Sequence, residues 1–459
     1  MALEIETVSL QQAASLLALE EAQTNDLKAK EITPSKLMKT VSGFANADGG
    51  ELYIGIREDN DGSRTWDGFP NQEAANGHLQ AFEQTFPLGT YFQYSFIRCP
   101  ELPGVVLRVV VNKTDKITLA NDGIAYLRRG AQSLPQNTPE LLKRLEYAKG
   151  VSTYETECLN VDLDVLLSSE ITGRFMKHVV PESEPEPWLK KQALIRGDRP
   201  TVAGVLMFAD LPQAYLPKRC GVKIYRYKTK DPEGFRDALA FQPETIEGPL
   251  YDQIKEAVER TIYHVEQIPR LGEGGLEAIV YPKETIHEII TNGIIHRDYS
   301  IADDVHIRIF DNRIEIQSPG RLAAHVTLQN VMRERAHRNG SIVRILNKFP
   351  DPPNKDVGEG LNTAFRRMNE VGLKDPVLEQ TENSFVAVIR HERLAGPEQM
   401  IMDFLDKHGT IKNSQARELT HVKADYVMKR IFGRMIKQGM IEQVPGTEKF
   451  TTCYRKVMR

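Results

Sequence analysis

The stretch Glu288-Ile-Ile-Thr-Asn-Gly-Ile-Ile-His-Arg-Asp-Tyr-Ser300 decides how the rest of the chain is read. Glu288, Asn292 and His296 recur every four residues. On a helix they share one face, turning by about 40° per step. Ile286, Ile289, Ile290 and Ile294 make the other face apolar, so the spacing predicts a helix over Thr285–His296. A carboxylate beside a carboxamide suits phosphate chemistry. The carboxylate can orient or deprotonate a water, and the amide oxygen can join a Mg²⁺ shell. On spacing alone, a solvated face of an amphipathic helix is the simpler account.

Working outward, a hairpin is predicted with arms Val305–Phe310 and Arg313–Gln317 around Asp311-Asn312. Ser318-Pro-Gly320 follows, and later Gly358-Glu-Gly-Leu-Asn362 precedes a helix. Upstream, Val202–Phe208 reads as a buried strand, Val222–Tyr227 as another, Gly248–Glu266 as a long helix and Gly272–Gly275 as a loop.

This set of motifs resembles the N-box of the GHKL ATPase superfamily, whose pattern is Glu-x3-Asn. The closer likeness is to a branch in bacterial proteins often labelled RecG-related or predicted transcriptional regulators. There the helix ends in His-Arg-Asp-Tyr, as at His296–Tyr299, and a Pro-Gly turn and a Gly-x-Gly loop follow. The resemblance implies ATP with Mg²⁺, with Glu288 as the water-activating base and Asn292 as the metal ligand. His296, Ser318 and Gly320 would line the nucleotide site, and Gly358 and Gly360 would lie in a lid over the phosphates. One departure is plain: the Asp-x-Gly-x-Gly loop that reads adenine in standard members is replaced by Ser318-Pro-Gly-Arg-Leu322.

The N-terminal 148 residues read as α/β. Helices are predicted at Ser9–Ala22, Lys36–Ala45 and Thr138–Ala148, and strands at Glu51–Ile56, Gln93–Cys99, Gly104–Asn112 and Ala125–Gly130. Glu20-Glu-Ala-Gln-Thr-Asn-Asp-Leu-Lys28 followed by Phe44-Ala-Asn-Ala-Asp-Gly-Gly50 resembles the Schlafen-type, AlbA-like domain. In Schlafen proteins that cleave RNA, three carboxylates hold a divalent metal. The matching positions are Glu21, Asp26 and Asp59, with Asp61 as the neighbour of the last. The resemblance implies Mg²⁺ or Mn²⁺ there, Lys28 on the scissile phosphate, and Arg128 and Arg129 on other phosphates. Asp26 replaces the usual Glu and shortens the ligand by one methylene. Binding of nucleic acid without cleavage is the competing reading.

At 459 residues the chain is long enough for two to four domains. Its 41% hydrophobic and 27% charged residues exclude a wholly disordered chain. Four scattered cysteines with no CxxC exclude a disulfide scaffold and a Cys-rich zinc site. No apolar run approaches the roughly 18 residues of a membrane span. A cytoplasmic protein without a membrane partner is expected. The net charge of −4 hides a gradient. Residues Gly396–Arg459 hold 12 Lys/Arg against 7 Asp/Glu, leaving −9 on the rest. That basic tail is predicted to order as three helices (Glu398–Lys407, Ser414–Leu419, Lys423–Gln438) and a two-stranded wing, a winged helix. Its candidate nucleic-acid contacts are Lys423, Lys429, Arg430, Arg434 and Lys437, with Tyr426, and Lys449, Arg455 and Lys456 on the wing. Winged helices also serve protein contacts, and charged helix faces are often only solvated. His408 and His421 make a poor metal pair.

The expected architecture is therefore multidomain α/β (α+β). A Schlafen-type AlbA-like domain spans 1–148, and a linker region at 149–194 contains Pro181–Pro187. A GHKL-like α/β sandwich with an α/β extension spans 195–394, and a winged helix 395–459. The expected activity is ATP-regulated nucleic-acid binding, DNA or RNA, by a homo-oligomer in transcriptional control or defence. A metal-dependent endonuclease gated by the central module is the alternative.

Overall fold

In the computed structural model of the chain, the residues described are 4–59, 61–272, 275–278, 281–353, 360–391, 397–420, 422, 424–445 and 452–457. The chain divides into two units, Met1–Ala364 with Val377–Ile389, and Phe365–Pro376 with Arg390–Arg459.

The first unit contains two large sheets. Five strands in the order Ile5–Thr7, Phe92–Arg98, Val106–Val111, Gly50–Ile54, Asn25–Lys28 form the N-terminal one. Its outer pairs are parallel and its inner pairs antiparallel. The helix Pro34–Asn46 begins with Pro at its first position, where the missing N–H costs nothing. It buries Leu37, Met38, Val41 and Phe44 among Leu52, Phe82, Phe96 and Val109. Each such side chain contributes about 1.5–3 kcal/mol. Gly49 takes φ +83° just before the strand, and a Cβ there would meet the Val111 carbonyl at 2.7 Å. That conformation and that closeness together require glycine.

The second sheet has six strands in the order Glu244–Ile246, Val222–Arg226, Val305–Ile309, Arg313–Pro319, Ser384–Arg390, Val377–Gln380. The expected hairpin is present, with Ile307 opposite Ile316. The helices Leu250–Glu266 and Lys283–Ile295 pack on this sheet and on each other.

Two local expectations change. Val202–Phe208 is a helix, not a strand. Thr201 Oγ1 accepts from the Gly204 N–H at 3.1 Å and caps it, and all seven residues are buried. A short run that is apolar on every side carries no periodicity to separate the two states. The expected connector at 149–194 folds into helices Glu170–Val179 and Pro185–Lys191. Their Phe175 and Trp188 rings are buried with centroids 4.9 Å apart. The loop expected at Gly272–Gly275 falls between two paired strands, Pro269–Gly272 and Gly275–Ala278, and residues 273–274 lie outside those described.

The second unit has helices Pro397–His408, Asn413–Leu419 and Asp425–Lys437 around a core of Ile401, Leu405, Met428, Phe432 and Met435. The two expected wing strands, Ile441–Gln443 and Cys453–Lys456, pair antiparallel, and among the described residues a third, Thr410–Lys412, joins the other edge of Cys453–Lys456. The extra strand lies between the first two helices, where Ile411 is buried. Among the described residues no helix is long and apolar enough to cross a membrane.

Candidate functional site

The Lys283–Ile295 helix turns Ile286, Ile289, Ile290 and Ile294 into the core. That fixes its other face toward a cavity of about 670 Å³. Glu288, Asn292 and His296 line this cavity together, as their spacing predicts. Asn292 Nδ2 donates to Glu288 Oε1 at 2.9 Å. Burial pushes the Glu288 carboxyl up, and the Asn292 hydrogen bond only partly offsets this. Gly360, the first residue of helix Gly360–Glu370, lies directly against that carboxylate. A Cβ at position 360 would collide with it. Gly358 lies outside the described residues.

His296 is the C-cap of its helix. Burial, with His337 and Arg338 nearby, lowers its pKa to about 4, so the ring is neutral. Its Nδ1 has no hydrogen-bond partner among the described residues. Ser318 and Gly320 border the same cavity but serve the fold. Ser318 Oγ donates to the Gly293 carbonyl at 2.7 Å, tying strand to helix. Gly320, at φ +100°, leaves room for Arg338, whose Nη1 lies 3.4 Å from Asp298. The rest of His-Arg-Asp-Tyr is structural as well. Arg297 Nη2 donates to the Arg219 carbonyl at 3.0 Å, and the Tyr299 hydroxyl to the Ile294 carbonyl at 3.0 Å.

The fit to a nucleotide rests on the donor set and on the volume. About 670 Å³ falls within the usual range for ligand pockets. Ile316, Val326, Phe385 and Ala387 supply an apolar wall, and Arg335 and Arg338 supply cations. The two arginines belong to no motif that the sequence reading used. The only sequence signal for them is the dense run Arg333-Glu-Arg-Ala-His-Arg-Asn339.

The N-terminal carboxylates are arranged differently from expectation. Lys28 Nζ sits between Glu21 Oε1 at 2.5 Å and Asp26 Oδ1 at 2.6 Å. Arg128 Nη1 lies 3.4 Å from Asp26 Oδ2, which also accepts from Thr40 Oγ1 at 3.2 Å. Burial raises the Asp26 carboxyl, and the adjacent Glu21 adds to the rise. Burial works the same way on Glu21, but its hydrogen bonds with Asp26 and Lys28 outweigh it and hold it low. Asp59 does not join them. It accepts from Arg57 Nε at 3.1 Å and Thr65 Oγ1 at 3.0 Å on its own hairpin. Asp61 accepts from the Ser63 N–H at 2.9 Å in a local turn. Among the described residues no three His, Cys, Asp or Glu side chains come together as metal ligands. In this arrangement the Lys28 ammonium lies between Glu21 and Asp26, while Asp59 bonds within its own hairpin.

Arg128 is turned inward. It is 2% exposed, lies over the Phe44 ring at 4.9 Å and donates to the Ala22 and Asn25 carbonyls, so it braces the domain. Arg129 is exposed and pairs with Glu382. In the second unit Lys429 pairs with Asp425 at 2.7 Å and Arg434 with Glu398 at 2.6 Å. Arg455 and Lys456 pair with Glu442 and Asp406, each at 2.7 Å. Arg430, Lys437 and Tyr426 are exposed on the Asp425–Lys437 helix. Lys423, Lys449 and His421 lie outside the described residues.

Residues 21–137 match the family model described as "Schlafen, AlbA_2". Residues 302–389 match the one described as "Putative ATP-dependent DNA helicase recG C-terminal". The second match begins after the helix that carries Glu288 and Asn292. No curated protein matches the chain. Among solved structures, the DIP2311 protein from Corynebacterium diphtheriae is similar at 14% identity and a TM-score of 0.43, over 98% of this chain and 99% of that one. The assignment rests on the two family models and not on that likeness. The chain thus joins a Schlafen-type AlbA-like domain to an ATPase-type domain like the RecG C-terminal one.

Proposed function

We propose that this protein binds ATP in the central cavity and uses it to control an association with nucleic acid. The observation that carries this reading is the hydrogen-bonded Glu288–Asn292 pair on the cavity wall, with the start of the Gly360–Glu370 helix closing on Glu288. Asn292 commits its amide nitrogen to Glu288, so its oxygen remains for a Mg²⁺ ion beside the phosphates. The raised carboxyl of Glu288 makes it a stronger base toward water than an ordinary carboxylate. Arg335 and Arg338 supply positive charge for the phosphates, and the Ile316–Phe385 wall is apolar enough for a base.

The regulatory part of the reading rests on the segment after Gly320. Arg321, Leu322 and Val326 line the central cavity. The Schlafen-type domain grips the same segment: Asp48 pairs with Arg321 at 2.5 Å, and Lys113 Nζ donates to the Leu322 and Val326 carbonyls at 2.8 and 3.0 Å. A ligand that moves this wall changes what Asp48 and Lys113 hold. The second unit is read as a winged helix whose Tyr426, Arg430 and Lys437 meet a polynucleotide. Transcriptional control or defence is the setting that accords with these parts.

Calorimetry of the full chain with ATP and Mg²⁺ tests the reading. Wild type is expected to bind, and Asn292→Ala to weaken binding by at least tenfold. Undetectable binding by wild type at millimolar ATP refutes it.

A further inference from the structure

A second cavity, of about 520 Å³, lies between the Schlafen-type domain and the ATPase-type domain within the first unit. Its lining contains seven basic side chains and three acidic ones. Arg128 among the basic ones is spent on the N-terminal cluster. The other six, Lys113, Arg129, Arg144, Lys149, Arg321 and Arg338, face three carboxylates. Each carboxylate already has its partners. Asp48 holds Arg321, and it accepts from Gln23 and Gln380, each at 3.2 Å. Asp298 accepts from Ser300 N–H at 2.9 Å and faces Arg338. Glu382 pairs with Arg129.

The independent sign of a missing anion is Arg338. It is 4% exposed; among the described residues its Nη1 makes no hydrogen bond beyond the loose 3.4 Å ion pair with Asp298, and its Nε has no hydrogen-bond partner. Arg321 Nε is in the same condition. Buried guanidinium N–H groups left without acceptors are costly, and an anion reaching both is the usual remedy. Lys113 and Lys149 add to the deficit. Both are buried, at 8% and 2% exposure, and bonded only to neutral oxygens. Burial lowers both; Arg321 and Arg338 push Lys113 further down, to about 8, and Lys113 in turn pushes Lys149 down. Arg144, exposed on the Pro139–Lys149 helix, stands at the rim.

We propose that this interdomain cavity is a binding site for the diphosphate group of a small molecule, distinct from the central nucleotide cavity but sharing Gly320–Leu322 and Arg338 with it as a common wall. A diphosphate is favoured because it presents acceptors on two centres, matching the two arginines with unpaired N–H groups. The volume accommodates that group with a nucleoside attached. Free diphosphate and a nucleoside diphosphate share this chemistry.

Calorimetry of the full chain with inorganic pyrophosphate tests the site. Wild type is expected to bind it, Arg144→Glu to weaken it by roughly tenfold, and Asn292→Ala to leave it unchanged. ATP provides the cross-check, since Asn292→Ala is expected to weaken ATP binding and Arg144→Glu to spare it. In the Asn292→Ala background, ADP binding tighter than pyrophosphate and still dependent on Arg144 identifies a nucleotide as the ligand. Equal binding identifies the diphosphate group alone. The proposal is overturned if wild type does not bind pyrophosphate at millimolar concentration. It is also overturned if Arg144→Glu binds it unchanged, or if Asn292→Ala abolishes it. Loss of ATP binding with pyrophosphate binding intact would overturn the central-cavity reading alone.

Discussion

Lys28→Met tests whether the N-terminal carboxylates belong to an ion pair or to a metal centre. In the structure the ammonium lies 2.5 Å from Glu21 and 2.6 Å from Asp26, whose side chain is 2% exposed. Removing one partner of a fully buried pair costs about 3–5 kcal/mol, because a charge is left without compensation. Lys28 and Glu21 are each 27% exposed, so water recovers part of that, and the loss should be about 2–3 kcal/mol. For a domain of this size that is a fall of about 5–10 °C in Tm. The pH dependence has a definite sign. Asp26 already titrates above its ordinary value, and losing Lys28 raises it further. A carboxyl raised in the folded state is stabilising while protonated, and this is lost as pH rises through its folded pKa. The deficit of Lys28→Met should therefore be smaller at pH 5 than at pH 7.5. Urea denaturation of both proteins at the two pH values measures it. Millimolar Mn²⁺ should leave the wild-type midpoint unmoved and partly restore the variant, where the space between the carboxylates is vacated. A loss under 0.5 kcal/mol, a deficit that grows on acidification, or Mn²⁺ stabilisation of wild type would refute the ion-pair reading.

Gly360→Ala should cost about 1–2 kcal/mol, since the new Cβ overlaps the Glu288 carboxylate. Combined with Glu288→Ala the loss should be less than additive, and strict additivity in urea melts would show that the two do not touch. Asp48→Ala and Arg321→Ala should couple by about 1 kcal/mol, limited by side-chain exposures of 18% and 32%. A coupling near zero would detach Asp48 from the cavity wall. His296 has its pKa lowered to about 4 from 6.5, so the stability gained by keeping it neutral is present above pH 6.5. That stability is lost as pH falls between 6.5 and about 4. His296→Gln should flatten this limb of the urea midpoint against pH, and an unchanged slope would assign the limb to other groups.

The sequence by itself determined the Glu288, Asn292, His296 face, because a helix with isoleucines on one side has only one side left for them. It determined the helix expected at Lys36–Ala45 and observed at Pro34–Asn46, since Pro at a helix start is a local requirement. Tertiary structure decided the questions that local pattern leaves open. Val202–Phe208 is helical with every residue buried among neighbouring helices, and a uniformly apolar run is silent about period. Ser318 turns to the Gly293 carbonyl instead of the cavity because two elements far apart in sequence meet there. Glu21, Asp26 and Asp59 carry the same charge in sequence, yet only folding puts Arg128, from 102 residues away, beside Asp26 and leaves Asp59 on a separate hairpin. The physical reason is common to these cases. Backbone preference acts over a few residues, whereas partners such as Arg128 for Asp26 and Gly293 for Ser318 come from segments 102 and 25 residues away.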